Sequence, residues 1–265
     1  MSYDWDFSVL TRSLTIETLA RGFGITLLLT FWSVLVGTPL GIALGGVASL
    51  GDRSGYLFAE VSTATSKGKR WIWRALRIAR ILALAYIDIV RAIPLLILIL
   101  VSFYALPELF KIYPVQIVLR VFGASASHVT AFHSGVVALT INLSAFIADL
   151  VRGAVVGTPR GSVLAGRSLG MNNWLLWRRI ILPDIVREIF PALTLLWITI
   201  FKMSTLCSAI TVYEVLHSAD AVIQQTYKPL ELYLEVSILF IAAIVPLSAL
   251  ARRLEHTQAL RRRSI

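Results

Sequence analysis

Residues 160–183 read RGSVLAGRSLGMNNWLLWRRIILP, a polar interruption between two strongly apolar runs. Thr158-Pro159, just ahead of it, supplies an N-cap and a first helical residue. The pattern predicts a short helix over 160–169, closed by Gly170 at the position after the cap, where glycine best takes a left-handed backbone. Asn172-Asn173 then turns the chain into a second short helix over 174–181, and Pro183 starts the next segment. Two short helices joined at a glycine can swing as one rigid piece and push on the apolar runs at either side.

Those flanking runs set the fold class. The chain is 57% hydrophobic over 265 residues, with a mean hydropathy of +0.77. Its apolar residues fall in membrane-length runs, which identifies an all-α integral membrane protein. Five spans are expected, over 22–49, 78–106, 129–150, 189–213 and 232–250, with the polar segment between the third and fourth. The first run is not a signal peptide, because MSYDWDF ahead of it is acidic and aromatic, and the run exceeds an h-region. The expected organisation is an N-terminal segment over 1–21, one transmembrane domain over 22–255 with its polar loop at about 153–188, and a basic tail over 256–265. Cys207 stands alone, so no internal disulfide framework exists and it reads as a small apolar helix residue.

A net charge of +10 invites a nucleic-acid reading, but the cations sit in the connections between spans, where membrane insertion places them. With the N-terminus outside, eighteen Lys and Arg fall on inside segments and five on outside ones. That bias puts residues 160–183 and the C-terminus in the cytoplasm. The connection over 50–77 begins turn-rich (GDRSGYLFAEVSTATSKGK) and ends RWIWRALRIAR. Its second half reads either as an interfacial helix on anionic lipid or as the plain entry to the second span.

Polar residues inside spans need explaining, because they are costly there. Asp88 and Arg91 lie three apart on one helix face and can pair, and Pro94 should bend the helix just beyond them. Asp149 and Arg152 repeat the spacing, with Asn142 and Ser144 deeper in the third span and able to bond across helices. Such pairs either anchor helices or touch cargo and gate. Lys202, followed by Ser204 and Thr205, lies near mid-span and must face protein or a wet cavity. It reads either as a structural ion pair, with Asp149 or Asp88 as partner, or as a pathway-lining cation. The last connection, 214–231, carries Glu214, His217, Asp220, Gln224, Gln225 and Tyr227. It reads as a solvated loop with a short helix, or as a surface for an extracytoplasmic partner.

The triplet Leu164-Ala165-Gly166, then Gly170, then Ile180-Ile181-Leu182-Pro183 resembles the E-A-A-x3-G-x9-I-x-L-P coupling loop of ABC-importer permeases. Tyr86–Leu96 is similar to the Y-x-E-x-x-R-G-T-P-L-L stretch of polar amino-acid importers, with Asp88 for the glutamate and Ala92-Ile93 for Gly-Thr. Ser144–Gly153 matches S-A-Y-x-A-E-x-x-R-G with Asp149 for glutamate, and Lys202–Leu206 resembles K-D-T-S-L without the acid. The resemblance runs from about Thr18 to Glu255. It implies a permease of the bacterial inner membrane for a polar or charged amino acid or an opine-like derivative, working by alternating access. It further implies an ABC ATPase dimer that carries the ATP and magnesium, a second homologous permease, and an extracytoplasmic substrate-binding protein. Leu164 stands where the family has glutamate, which points to a heterodimer whose other permease keeps the acid.

Other chemistry is missing. The chain has no G-x4-G-K-[ST] phosphate loop, so no cofactor is expected in it and ATP hydrolysis falls to the partner. His128, His133, His217 and His256 show no zinc spacing, and no G-x-S-x-G elbow occurs. The rival readings are a permease for another small solute, such as an osmolyte or methionine, and a non-transporting membrane scaffold.

Overall fold

A computed structural model describes residues 5–50, 70–110 and 131–263. The stretch 51–69 and His128 lie outside the described residues. After a 3₁₀ turn at Phe7–Thr11 come α1 (Ser13–Ala48), α2 (Arg70–Ala92), α3 (Leu95–Phe110), α4 (Ala131–Gly157), α5 (Arg160–Ser168) and α6 (Asn173–Leu176). A π turn at Trp177–Ile181 leads into α7 (Leu182–Met203), followed by a 3₁₀ turn at Ser204–Ile210, α8 (Val215–Thr226) and α9 (Pro229–Arg263). No strand occurs among the described residues. Among the described residues, four stretches are long and apolar enough to cross a membrane, or five if α2 and α3 count as one broken span. The expected all-α, five-span architecture holds.

The second expected span, 78–106, is not one helix. It breaks at Ile93-Pro94 into α2 and α3. Pro94 lacks the donor that would continue α2, and its ring disfavours a helical backbone at the β-branched Ile93 before it. The arginine–tryptophan stretch 70–80 forms the first turns of α2, with Trp71, Arg74 and Arg77 exposed.

The residues group into two compact units. One comprises Met1–Leu35, Ile93–Ile141 and Trp197–Leu250. Its core gathers Val9 and Leu19 with Val215, Ala219 and Val222 of α8 and Leu232 and Val236 of α9. Close approach is built in: a Cβ on Gly22 would collide with Ser218, and one on Gly135 would lie 3.0 Å from Cys207 Sγ. The Thr26 hydroxyl accepts the Val215 amide at 3.2 Å and donates to the Gly22 carbonyl one turn back.

The second unit comprises Val36–Ala92, Asn142–Leu196 and Ala251–Ile265. Here α1 presents Gly37, Gly41 and Gly45 at four-residue spacing, all buried. A Cβ on Gly41 would stand 2.6 Å from Ile147 Cβ, and one on Gly45 would stand 2.5 Å from the Ala148 carbonyl oxygen. Glycines let α1 and α4 backbones touch, which is how helices gain dispersion contact where lipid is as apolar as leucine. Ala48, Ala83, Ile87 and Ala148 continue that seam, and Arg80 Nε donates to the Ala48 carbonyl at 3.3 Å, capping the end of α1.

Candidate coupling and pathway sites

The segment between α4 and α7 is built as the spacing of Gly170 predicts, with two differences. Gly170 adopts φ +76°, and its amide donates to the Arg167 carbonyl at 2.9 Å. The next amide, Met171, reaches back to the Gly166 carbonyl at 3.1 Å. Those two bonds make the Schellman closure that glycine favours. Asn172 Oδ1 then accepts the Leu175 amide at 2.8 Å and caps α6. The expected N-cap at Thr158 is a correction: α4 runs on to Gly157, and the Thr158 hydroxyl donates one turn back to the Ala154 carbonyl at 3.3 Å. Pro159 takes the cap position of α5 with no side-chain bond. The second short helix is also not uniform, because residues 177–181 form a π turn.

Gly166 acquires a reason that the sequence did not supply. A Cβ there would lie 2.5 Å from Leu176 Cδ2 and 2.9 Å from Ile180 Cδ1. The two halves of the segment are therefore packed face to face, with Val163, Leu176 and Ile181 buried between or beneath them. Leu164, Leu169 and Trp174 point outward, at 60%, 78% and 72% exposure. Ala165 and Leu182 are exposed, while Ile180 and Pro183 are half-buried. The result is a compact wedge whose outer surface carries these apolar side chains beside the exposed Arg178 and Arg179.

The span acids and arginines are rearranged relative to expectation. Arg91 does not pair with Asp88. Its guanidinium crosses to Asp149 of α4 at 2.6 Å and lies 5.4 Å from the Phe146 ring centroid. Asp149 also takes Arg152 at 3.2 Å, the pairing the spacing predicts. Asp88 is exposed and forms no ion pair with a described residue. An i,i+3 partner loses to a cross-helix partner when the latter also offers an aromatic face to the same guanidinium. Beside this cluster the Tyr86 hydroxyl bonds Ser144 at 2.7 Å, and Asn142 and Ser144 are buried. Pro94 stands at the break between α2 and α3, where its carbonyl accepts the Leu98 amide at 3.1 Å.

Lys202 closes α7 and is exposed. The two hydroxyls that follow serve the backbone. Ser204 donates to the Phe201 carbonyl at 2.8 Å and Thr205 to the Lys202 carbonyl at 2.9 Å, where the α-helix tightens into a 3₁₀ turn.

The connection 214–231 is not solvated throughout. Glu214 and Glu231 have no exposed surface. Glu214 caps α8, accepting the Leu216 and His217 amides at 3.0 and 2.8 Å. Burial pushes its carboxyl up to about 7, against the pull of those two amides. Glu231 accepts the Asp6 amide at 2.9 Å and ties the N-terminal segment to α9. A cleft of about 450 Å³ between α1, α7 and α9, lined by Leu27, Phe31, Leu35, Trp197, Phe201 and Leu247, is apolar and does not suit a polar solute.

This all-α, multi-span architecture with a packed segment between α4 and α7 has counterparts among known proteins. Residues 73–262 match the family described as "Binding-protein-dependent transport system inner membrane component". The glutamine transport system permease protein GlnP of Escherichia coli (strain K12) is 30% identical over 179 residues, covering 68% of this chain and 75% of GlnP. The nopaline transport system permease protein NocM of Agrobacterium fabrum is 29% identical over 165 residues, 62% of this chain and 66% of NocM. A crystal structure of an amino acid ABC transporter with histidines superposes with a TM-score of 0.73 at 25% identity, over 96% of this chain and 100% of that one. The chain belongs to the inner-membrane components of binding-protein-dependent transport systems.

Proposed function

We propose that the chain carries a polar or charged amino acid, or an opine-like derivative, across the inner membrane by alternating access. The relatives named for glutamine and nopaline transport support that cargo class. The energy enters through a separate ABC ATPase dimer, which holds the ATP and magnesium, docked on the wedge formed by residues 153–188. The observation that carries this reading is the wedge itself: Schellman-closed at Gly170, packed at Gly166, and presenting Leu164, Leu169 and Trp174 outward. A rigid piece joined directly to α4 and α7 transmits a push to both spans. The wedge lies in the cytoplasm and the N-terminus outside, as the distribution of cations supports.

An apolar residue at position 164 offers an ATPase no charge to pair with. The functional unit is therefore a heterodimer with a second permease that retains the acid, served by an extracytoplasmic substrate-binding protein. In the α2–α4 part of the pathway, Asp149 bridges Arg91 and Arg152 as a latch between helices, and Lys202 lines the route as an exposed cation. Purification of the tagged protein from detergent-solubilised membranes tests the assembly. Recovery of one ATPase and a second permease is expected. An ATPase with this permease alone removes the heterodimer, and no ATPase at all removes the coupling role.

A further inference from the structure

The exposed face of α2 changes character along its length. From Ile78 onward it is apolar: Ile78, Ile81, Leu82 and Ile89 are each more than half exposed and follow one another at helical spacing. Just before Ile78 the same side carries Arg77 and Arg74, three apart and both exposed, and then Trp71 at 68% exposure. The next arginine along the helix turns the other way: Arg80 Nε donates to the Ala48 carbonyl and is spent on the end of α1.

That bond also sets the depth. Ala48 is the last residue of α1, so α2 meets the end of the first span at Arg80. At about 1.5 Å per residue, Arg77 and Arg74 lie about 4.5 and 9 Å beyond that level, within a headgroup layer. An indole one turn further on is the side chain that membrane interfaces favour. Two guanidiniums one turn apart, on a face whose next turns are bare apolar side chains, match a ligand with an anionic phosphate and hydrocarbon chains beneath it. A soluble anion would leave Ile78, Ile81 and Leu82 uncovered, and a zwitterionic lipid brings its own cation beside the phosphate and answers the arginines less well.

We infer that Arg74 and Arg77 hold the phosphate of an anionic phospholipid, with its acyl chains lying along Ile78, Ile81 and Leu82. The site has a mechanical consequence. Fourteen residues beyond Arg77, about 21 Å along the same helix, Arg91 crosses to Asp149. A headgroup held at one end of α2 fixes the depth at which the other end meets α4. The full chain, purified in detergent with its co-purifying subunits, is titrated with phosphatidylglycerol and separately with phosphatidylcholine, and native mass spectrometry counts the molecules retained. The wild type should retain phosphatidylglycerol in preference. Arg74→Gln or Arg77→Gln should weaken the tightest phosphatidylglycerol about fivefold, and the two together about 25-fold. Neither arginine is buried, so the melting temperature should hold, and Arg74→Lys with Arg77→Lys should keep the preference. Arg252→Gln, exposed near the C-terminal end of α9, should change nothing. Equal retention of the two lipids by the wild type, or an unchanged affinity in the double glutamine variant, overturns the inference. So does an equal loss in Arg252→Gln, the mark of diffuse surface charge, and so does displacement of the lipid by excess inorganic phosphate, the mark of a soluble-anion site. Binding in detergent does not depend on which side faces the cytoplasm, so failure here counts against the lipid site and leaves the transporter reading standing.

Discussion

Glu214→Gln should make the protein more stable at alkaline pH and leave it unchanged in acid. Glu214 has no exposed surface, and burial raises its carboxyl from 4.5 to about 7, with Asp220 pushing the same way and the Leu216 and His217 amides and Thr26 opposing. Below pH 4.5 the carboxyl is neutral in both folded and unfolded chains, and stability is at its fullest. As pH rises through the window to about 7, the unfolded chain releases its proton first, so folding loses ground; above 7 the loss is complete. At about 1.4 kcal/mol per pH unit, the window amounts to about 3 kcal/mol. For a chain of this size that corresponds to a melting shift of roughly 5–10 °C. Glutamine preserves shape and one acceptor for the α8 amides but carries no charge to bury. Thermal unfolding in detergent between pH 4.5 and 8.5 should show the wild-type melting temperature falling and the variant's nearly level, with the curves meeting near pH 4.5. Taking the difference between the two curves removes every other titrating group. Parallel curves, or a variant that melts below the wild type at pH 8, would refute the reasoning, since the carboxylate would then be stabilising as an anion.

Three further outcomes test the packing and the site. Gly45→Val drives a Cβ to 2.5 Å from the Ala148 carbonyl oxygen, which cannot rotate away, so melting should fall by the equivalent of about 1–3 kcal/mol, whereas Gly46→Val, with open space around it, should be silent. In a double-mutant cycle, Arg91→Gln with Asp149→Asn should show a coupling of about 0.5–1 kcal/mol, because the pair is 39% and 28% exposed; Asp88→Asn with Arg91→Gln should show none. Gly166→Val should part α5 from Leu176 and Ile180 and reduce ATPase recovery in the co-purification, while Gly161→Val on the open face of the same helix should not.

The segment 160–183 was legible because its signals are local: a left-handed glycine after a short helix, an asparagine that caps the next, and a proline at a helix start. Pro94 was legible as a disturbance, but a hydropathy window averages across it, so a full break looked like a bend. Distance in the chain hid the rest. Arg91 had one partner visible in sequence, Asp88 three residues back, and the competitor fifty-eight residues away became visible only once α2 and α4 were placed. Glu214 looked solvated because its burial depends on Gly22 and Thr26 of α1, again remote in the chain. The repeat Gly37, Gly41, Gly45 was the one missed feature with a sequence signal of its own, a small residue every fourth position in an apolar helix. A search for apolar length passes over it.

The π turn at Trp177–Ile181 has a consequence for how such chains diverge. A π turn is an α-helix that has taken in one extra residue without unfolding, so the nine positions between Gly170 and Ile180 contain one more than a regular helix would need to cover the same rise. Deleting one residue from 177–181 should therefore leave a regular α-helix that keeps the phase of its flanks and holds Trp174 on the surface it now occupies, whereas a residue gained or lost elsewhere in the helix before α7 rotates everything ahead of it by about 100°. The π turn is thus the one place in this helical stretch where a change of length is absorbed, and lineages should lose or gain a residue there far more readily than at 174–176.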